Sequence, residues 1–71
     1  MKNIAVIGYG GQGAWHCAQI AKSDVCVLAG TYDIREVRRQ AAEKNGVKVY
    51  DSNEAIFADP EVDAVVIAVP N

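Results

Sequence analysis

The stretch "VIGYGGQGAWH", residues 6–16, carries the spacing Gly-x-Gly-x-x-Gly at Gly8, Gly10 and Gly13. A pattern six residues long is easily met by chance, so its weight depends on its flanks. Before it, "KNIAVI", residues 2–7, is a mostly apolar run with isoleucine and valine that stops abruptly at glycine. This predicts a short strand, and apolar residues on both of its faces predict one covered by helices on both sides. After it, Gly13, Cys17, Ile20 and Ala21 recur at i, i+4, i+7 and i+8. That is one face of a helix over residues 11–22. Ala14 and Ala18 would let this face lie close to a sheet.

Further along, "VCVLAGTYD" reads as a second buried strand, residues 25–31, after the break at Ser23 and Asp24. Asp33 opens "DIREVRRQAAEKNG", in which Ile34, Val37 and Ala41 mark the inward face of a second helix and Asn45 with Gly46 stops it. "VKVY", residues 47–50, predicts a weak third strand. A brief third helix follows over residues 54–58, then a turn at Asp59 and Pro60. "DAVVIAVPN", residues 63–71, is the most continuously apolar stretch and predicts a fourth strand. The resulting order, β-α-β-α-β-α-β with short connections, argues for an α/β fold with a parallel sheet wound by right-handed crossovers. Residues 1–71 form one unit with no linker or repeat.

In that setting each glycine acquires a task. Gly8 permits the tight turn out of the strand, Gly10 lets a pyrophosphate approach the backbone, and Gly13 lets helix and strand pack closely. The unpaired N–H groups at the helix start favour an anion by about 0.3–1 kcal/mol, and up to ~2 kcal/mol when partly buried. Asp33 stands twenty residues beyond Gly13, at the end of the second strand. This is the spacing of an acid that binds the ribose of a dinucleotide. The same carboxylate is also placed to cap the second helix with Glu36 three residues on, and its two oxygens have room for both roles. On the ribose, Asp33 would repel a 2′-phosphate, which favours NAD over NADP. Arg35 blurs that preference, because it lies close enough to pair with such a phosphate, so NADP stays open as the alternative.

Composition narrows the partners. With 51% hydrophobic and 23% charged residues and a net charge of −2, the chain is ordinary for a folded α/β protein and carries no basic stripe. Nucleic acid is therefore not an expected partner. No apolar run nears the roughly 18 residues of a membrane span, and "MKNIAVIGYGG" is not a signal peptide, so the expected compartment is the cytoplasm. Cys17 and Cys26 have no CxxC spacing and are expected as reduced, buried thiols. His16, the single histidine, lacks a partner for catalysis or metal binding and is expected to be structural. Trp15 falls on the helix face away from the sheet. Tyr9 occupies a variable position of the glycine loop, where it could lie against the cofactor.

With "GYGGQGAWH", "YDI" at residues 32–34 and "ADPEVDAVVIAVPN" at residues 58–71 on the page, the chain resembles the N-terminal cofactor domain of the Gfo/Idh/MocA family of NAD(P)-dependent oxidoreductases. The resemblance covers nearly all 71 residues, with Val69 where the family commonly has threonine. It implies a Rossmann-type sheet with strand order 3-2-1-4 along the chain, incomplete relative to the family. It further implies that Gly8, Tyr9, Gly10, Gly11, Gln12 and Gly13 lie near the pyrophosphate. Asp33, with Ile34 and Arg35 beside it, would meet the adenosine ribose. Ala68, Val69, Pro70 and Asn71 would border the ribose on the nicotinamide side. The positions of the family's catalytic lysine and histidine have no counterpart in these residues, so the implied chain is a cofactor-binding fragment without the substrate domain. Two functional classes follow: the cofactor-binding portion of an oxidoreductase acting on a sugar, inositol or related alcohol, or a stand-alone non-catalytic nucleotide-binding module. In the implied strand order the fourth strand exposes an apolar edge, "AVVIAV", and the expectation is that the chain either self-associates through it or is an ordered part of a longer protein.

Overall fold

The computed structural model describes residues 1–69 and contains six elements: β1 (Lys2–Ile7), α1 (Gly11–Ala21), β2 (Cys26–Tyr32), α2 (Glu36–Lys44), α3 (Asn53–Ala58) and β3 (Ala64–Ile67). The strands form a parallel sheet of order β2-β1-β3. β1 is central, as its sequence predicts. Val6 points to one face, where Tyr9, Cys17 and Ala42 are buried with it, and Ala5 and Ile7 point to the other, against Tyr50 and Ile56. Alternation along one strand thus divides the core into two layers. Full burial of a side chain such as Val6 or Ile56 contributes about 1.5–3 kcal/mol each.

Pairing brings Ile7 opposite Tyr32 on one side and Ile67 on the other, so all three strands end at the same level. Two backbone hydrogen bonds continue the alignment past the strand ends: the Gly8 N–H donates to the Tyr32 carbonyl at 2.7 Å, and the Ala68 N–H to the Ile7 carbonyl at 2.8 Å. The loops that leave this carboxyl edge are therefore held together.

Three expectations are corrected. Residues 47–50 do not form a third strand, so the sheet has three strands among the described residues and the order 3-2-1-4 is not matched. The segment touches β2 at a single parallel bridge, Thr31 with Val49, supported by hydrogen bonds from the Thr31 N–H to Lys48 and from the Tyr50 N–H to Thr31. On its other side β2 pairs with β1 in a register that is irregular between Ile4 and Ala5 and skips Ala29. The segment also crosses close over Gly30, where a Cβ would come within 2.8 Å of the Tyr50 ring.

The second correction concerns α2, which begins at Glu36 and not at Asp33. Its inward face is Ala41 and Ala42, while Ile34 is 84% and Val37 67% exposed. Asp33 is occupied elsewhere, as described below, and Ala41 and Ala42 pack in the layer that holds Tyr9. The third is minor: Ala18 and Ala21 face outward on α1, and Cys26 is only half-buried. Cys17 is fully buried, and burial pushes its thiol pKa up, partly offset by a hydrogen bond with Thr31. Both thiols are free. Among the described residues no helix is long and apolar enough to cross a membrane.

Candidate functional site

The site lies where β1, β2 and β3 end, the side of an open parallel sheet on which ligands bind. Gly8 turns the chain out of β1 with φ of +99°, a conformation costly for any residue with a Cβ, and a Cβ there would sit 2.7 Å from the Ala68 carbonyl oxygen. Gly13 is constrained differently. A Cβ on it would collide with the Gly8 carbonyl oxygen, so only glycine lets α1 start directly against the end of β1. Between them Gly10 is the N-cap of α1 and makes no side-chain cap, while Gly11 and Gln12 are exposed. The loop presents backbone to solvent at the start of an eleven-residue helix.

Asp33 is 5% exposed and uses both oxygens. Oδ2 accepts from the Tyr9 N–H at 2.8 Å, tying the end of β2 to the glycine loop. Oδ1 accepts from the Arg35 N–H at 2.8 Å, a local turn in place of the helix cap considered from sequence. The Arg35 guanidinium forks over the same carboxylate, Nε to Oδ1 at 3.1 Å and Nη2 to Oδ2 at 3.0 Å. This pairing first, and the two backbone N–H groups after it, hold the Asp33 carboxyl well below the usual carboxylate range despite burial. Arg35 is 46% exposed at its side chain and keeps its charge, its pKa raised by Asp33.

Two clefts meet at Arg35. One, of about 240 Å³, is lined by Asp33 with Ile7, Tyr32, Ile34, Val69 and Asn53 among others. The other borders the glycine loop, with Gly10, Gly11 and Gln12 facing Arg35, Arg38 and Ala68. The Arg35 Nη2 lies 3.3 Å from where a Gly10 Cβ would be, so the guanidinium overhangs the loop. A carboxylate that accepts hydroxyls and a backbone loop with two arginines that suits phosphate thus share one edge.

Most residues singled out by sequence gather here: Gly8, Gly10, Gly11, Gln12, Gly13, Asp33, Ile34, Arg35, Ala68 and Val69. Tyr9 does not present its ring. The side chain is buried in the core, and its hydroxyl accepts from Asn45 Nδ2 at 3.0 Å, which leaves only its backbone at the site. Pro70 and Asn71 lie outside the described residues. His16 rests edge-on against Trp15, with ring centroids 5.2 Å apart.

Three residues were missed, Arg38, which lines the glycine-loop cleft, among them. Arg39 donates through Nη1 to the carbonyls of Asp33 and Ile34, both at 2.8 Å, and stacks over the Tyr32 ring, fixing the turn that presents Asp33. Asn53 lines the Asp33 cleft from α3. The phase of α2 and the return of α3 to this edge, which bring them in, leave no mark in local spacing.

Residues 2–71 match the model of an oxidoreductase family described by its NAD-binding Rossmann fold, Gfo/Idh/MocA. Among curated proteins the chain is 42% identical over 72 aligned positions to a ketol-acid reductoisomerase (NADP(+)) of Beutenbergia cavernae, covering 99% of this chain and 19% of that protein. It is 39% identical over 70 residues to inositol 2-dehydrogenase of Rhodococcus jostii, covering 94% of this chain and 19% of that one. Among solved structures it superposes on an NAD-binding protein from Listeria innocua with a TM-score of 0.92 at 41% identity, covering 99% of this chain and 21% of the other. The chain spans about a fifth of the length of these relatives.

Proposed function

From the premise that this chain belongs to the Gfo/Idh/MocA family of oxidoreductases, we propose that residues 1–71 are the dinucleotide-holding portion of an enzyme that moves hydride between nicotinamide and a sugar, inositol or related alcohol. The observation that carries this reading is the pairing of a buried Asp33 with the Tyr9 N–H of a glycine loop whose Gly8 and Gly13 leave no room for side chains. The backbone of residues 8–13 holds the pyrophosphate, Asp33 with Ile34 and Arg35 holds the adenosine ribose, and Ala68 to Asn71 border the nicotinamide side. When bound, the dinucleotide supplies the ring that gives or takes hydride. None of these residues is assigned a catalytic role. The free thiols of Cys17 and Cys26 support a cytoplasmic setting.

The residues present fit a dinucleotide in a way that involves rearrangement. Asp33 already accepts four hydrogen bonds, about the capacity of a carboxylate. A ribose hydroxyl therefore replaces one of the Arg35 side-chain bonds, and the exposed guanidinium swings toward the glycine-loop cleft. NAD is preferred, because a 2′-phosphate about 4 Å from Asp33 is repelled by roughly 4 kcal/mol at an effective dielectric of ~20. Arg35 and Arg38 offset part of that repulsion. Calorimetric titration with NAD, NADP and ADP-ribose tests the reading: NAD and ADP-ribose are expected to bind alike and more tightly than NADP. Absence of binding by all three would overturn it.

We also propose self-association through β3. Among the described residues this strand pairs only with β1, its sequence "AVVI" is uncharged, and Ile67 is exposed. Light scattering should show mass rising with concentration. A monomer that persists to millimolar concentration would refute this.

A further inference from the structure

Arg39 differs from the other two arginines of this region. Arg35 and Arg38 border the clefts at the carboxyl edge, whereas Arg39 lines neither and opens on the groove at the far side of β2. From there its Nη1 donates to the carbonyls of Asp33 and Ile34, both at 2.8 Å. Neither carbonyl belongs to the sheet or to the helix. β2 ends at Tyr32, and the Arg35 carbonyl is the one that starts the α2 ladder, accepting from the Arg38 and Arg39 N–H groups. The half-buried guanidinium is itself steadied, its carbon lying 5.6 Å from the centre of the Tyr32 ring. Side chain and main chain of Asp33 are thus held by different groups: the carboxylate by Tyr9 and Arg35, the carbonyl by Arg39.

We infer that Arg39 is a positioning residue for ribose recognition, keeping the Asp33–Ile34 turn in place while the Arg35 side chain leaves the carboxylate; this rests on the dinucleotide reading above. Arg35 pairs through a side chain that is 46% exposed with the oxygens a ribose hydroxyl needs, so it must yield to the ligand. Arg39 bonds to main-chain oxygens that the ligand does not need, and a charged donor makes these bonds strong. Without Arg39 both carbonyls lose their tie to α2. The carboxylate then loses its aim, and a hydrogen bond weakens steeply as its angle departs from linear.

The test compares ADP-ribose with its analogue lacking the 2′-hydroxyl of the adenosine ribose. The wild-type protein should bind the analogue about tenfold more weakly, the effect of one hydrogen bond to a charged acceptor. Arg39→Met keeps an unbranched apolar side chain against Tyr32 but no donor, and the difference should shrink below about threefold, as coupling through Asp33 requires. A merely structural role would weaken both ligands equally and leave the tenfold difference intact, which would overturn the inference. Equal binding of the two ligands by the wild type overturns it as well, while ADP-ribose binding leaves the glycine-loop part of the dinucleotide reading standing. Should Arg39→Met fail to fold, NMR of the wild type decides. The two bonds hinder rotation of the Arg39 guanidinium, so its Nη nitrogens should give separate signals both before and after saturation with ADP-ribose. Merging of those signals on saturation overturns the inference. If ADP-ribose does not bind the wild type at all, the dinucleotide reading falls and the role of Arg39 falls with it.

Discussion

Gly13→Ala is expected to lower the melting temperature by about 10 °C or more and to abolish dinucleotide binding. The added methyl meets the Gly8 carbonyl oxygen, a backbone atom with little freedom to retreat. Gly8 is held by its N–H bond to Tyr32, and its other flank is closed by Ala68. Relief must then come from α1 moving off β1, which opens the layer of Val6, Tyr9 and Cys17. Overpacking of this kind costs typically about 1–3 kcal/mol, against a total of roughly 4–10 kcal/mol for a chain of this size. Each kcal/mol shifts melting by about 4–8 °C in a small domain. Gly11→Ala is the control: nothing lies within 4 Å of its Cβ position, so a change below about 1 kcal/mol is expected. Thermal unfolding of the two variants side by side checks the claim. Equal melting temperatures would mean that the contact between strand end and helix start is not what requires glycine.

Asp33→Asn is expected to weaken both fold and ligand binding, and to remove part of the pH dependence of stability. Asparagine keeps one acceptor oxygen where the carboxylate has two, so either the Tyr9 or the Arg35 N–H loses its partner. A buried donor left unpaired costs about 1–3 kcal/mol. The sign of the pH effect follows from the depressed carboxyl. Its stabilising contribution is fully present above the unfolded pKa of about 3.9 and is lost as pH falls from there through the folded value. Wild-type stability should therefore drop more steeply below about pH 4 than that of Asp33→Asn, measured by denaturant unfolding across pH. The variant should also narrow the gap between NAD and NADP, since the charge that repels a 2′-phosphate is gone. Parallel pH profiles, or an unchanged cofactor ratio, would contradict the role given to Asp33.

Much of this site was legible because it depends on backbone. The demands on Gly8, Gly10 and Gly13 are steric and tied to fixed spacing, and Asp33 lies a strand and a helix away along the chain, a distance that sequence preserves. What sequence concealed was direction. Tyr9 sits inside the motif, yet its ring turns into the core because Ala42 and Cys17 leave a space there and Asn45 meets its hydroxyl. Ile34, Val37 and Ala41 suggested the inward face of α2, but of the three only Ala41 packs inward, beside Ala42. Asp33 was weighed as a helix cap. Instead it staples Tyr9 and Arg35, and Arg39 braces the same turn from a position that only the helix phase reveals. "VKVY" has the composition of a strand but meets β2 at one residue, beyond the irregularity that skips Ala29.

The central claim is that a dinucleotide lies along the carboxyl edge of the sheet, across the glycine loop and Asp33. Backbone amide shifts recorded by NMR during titration with ADP-ribose test it most directly. The largest changes are predicted at residues 8–13 and 33–35, with smaller ones at Asn53 and Ala68. Changes confined to the open groove on the far side of β2, lined by Arg39, Glu43, Lys48 and Asp51, would contradict the account.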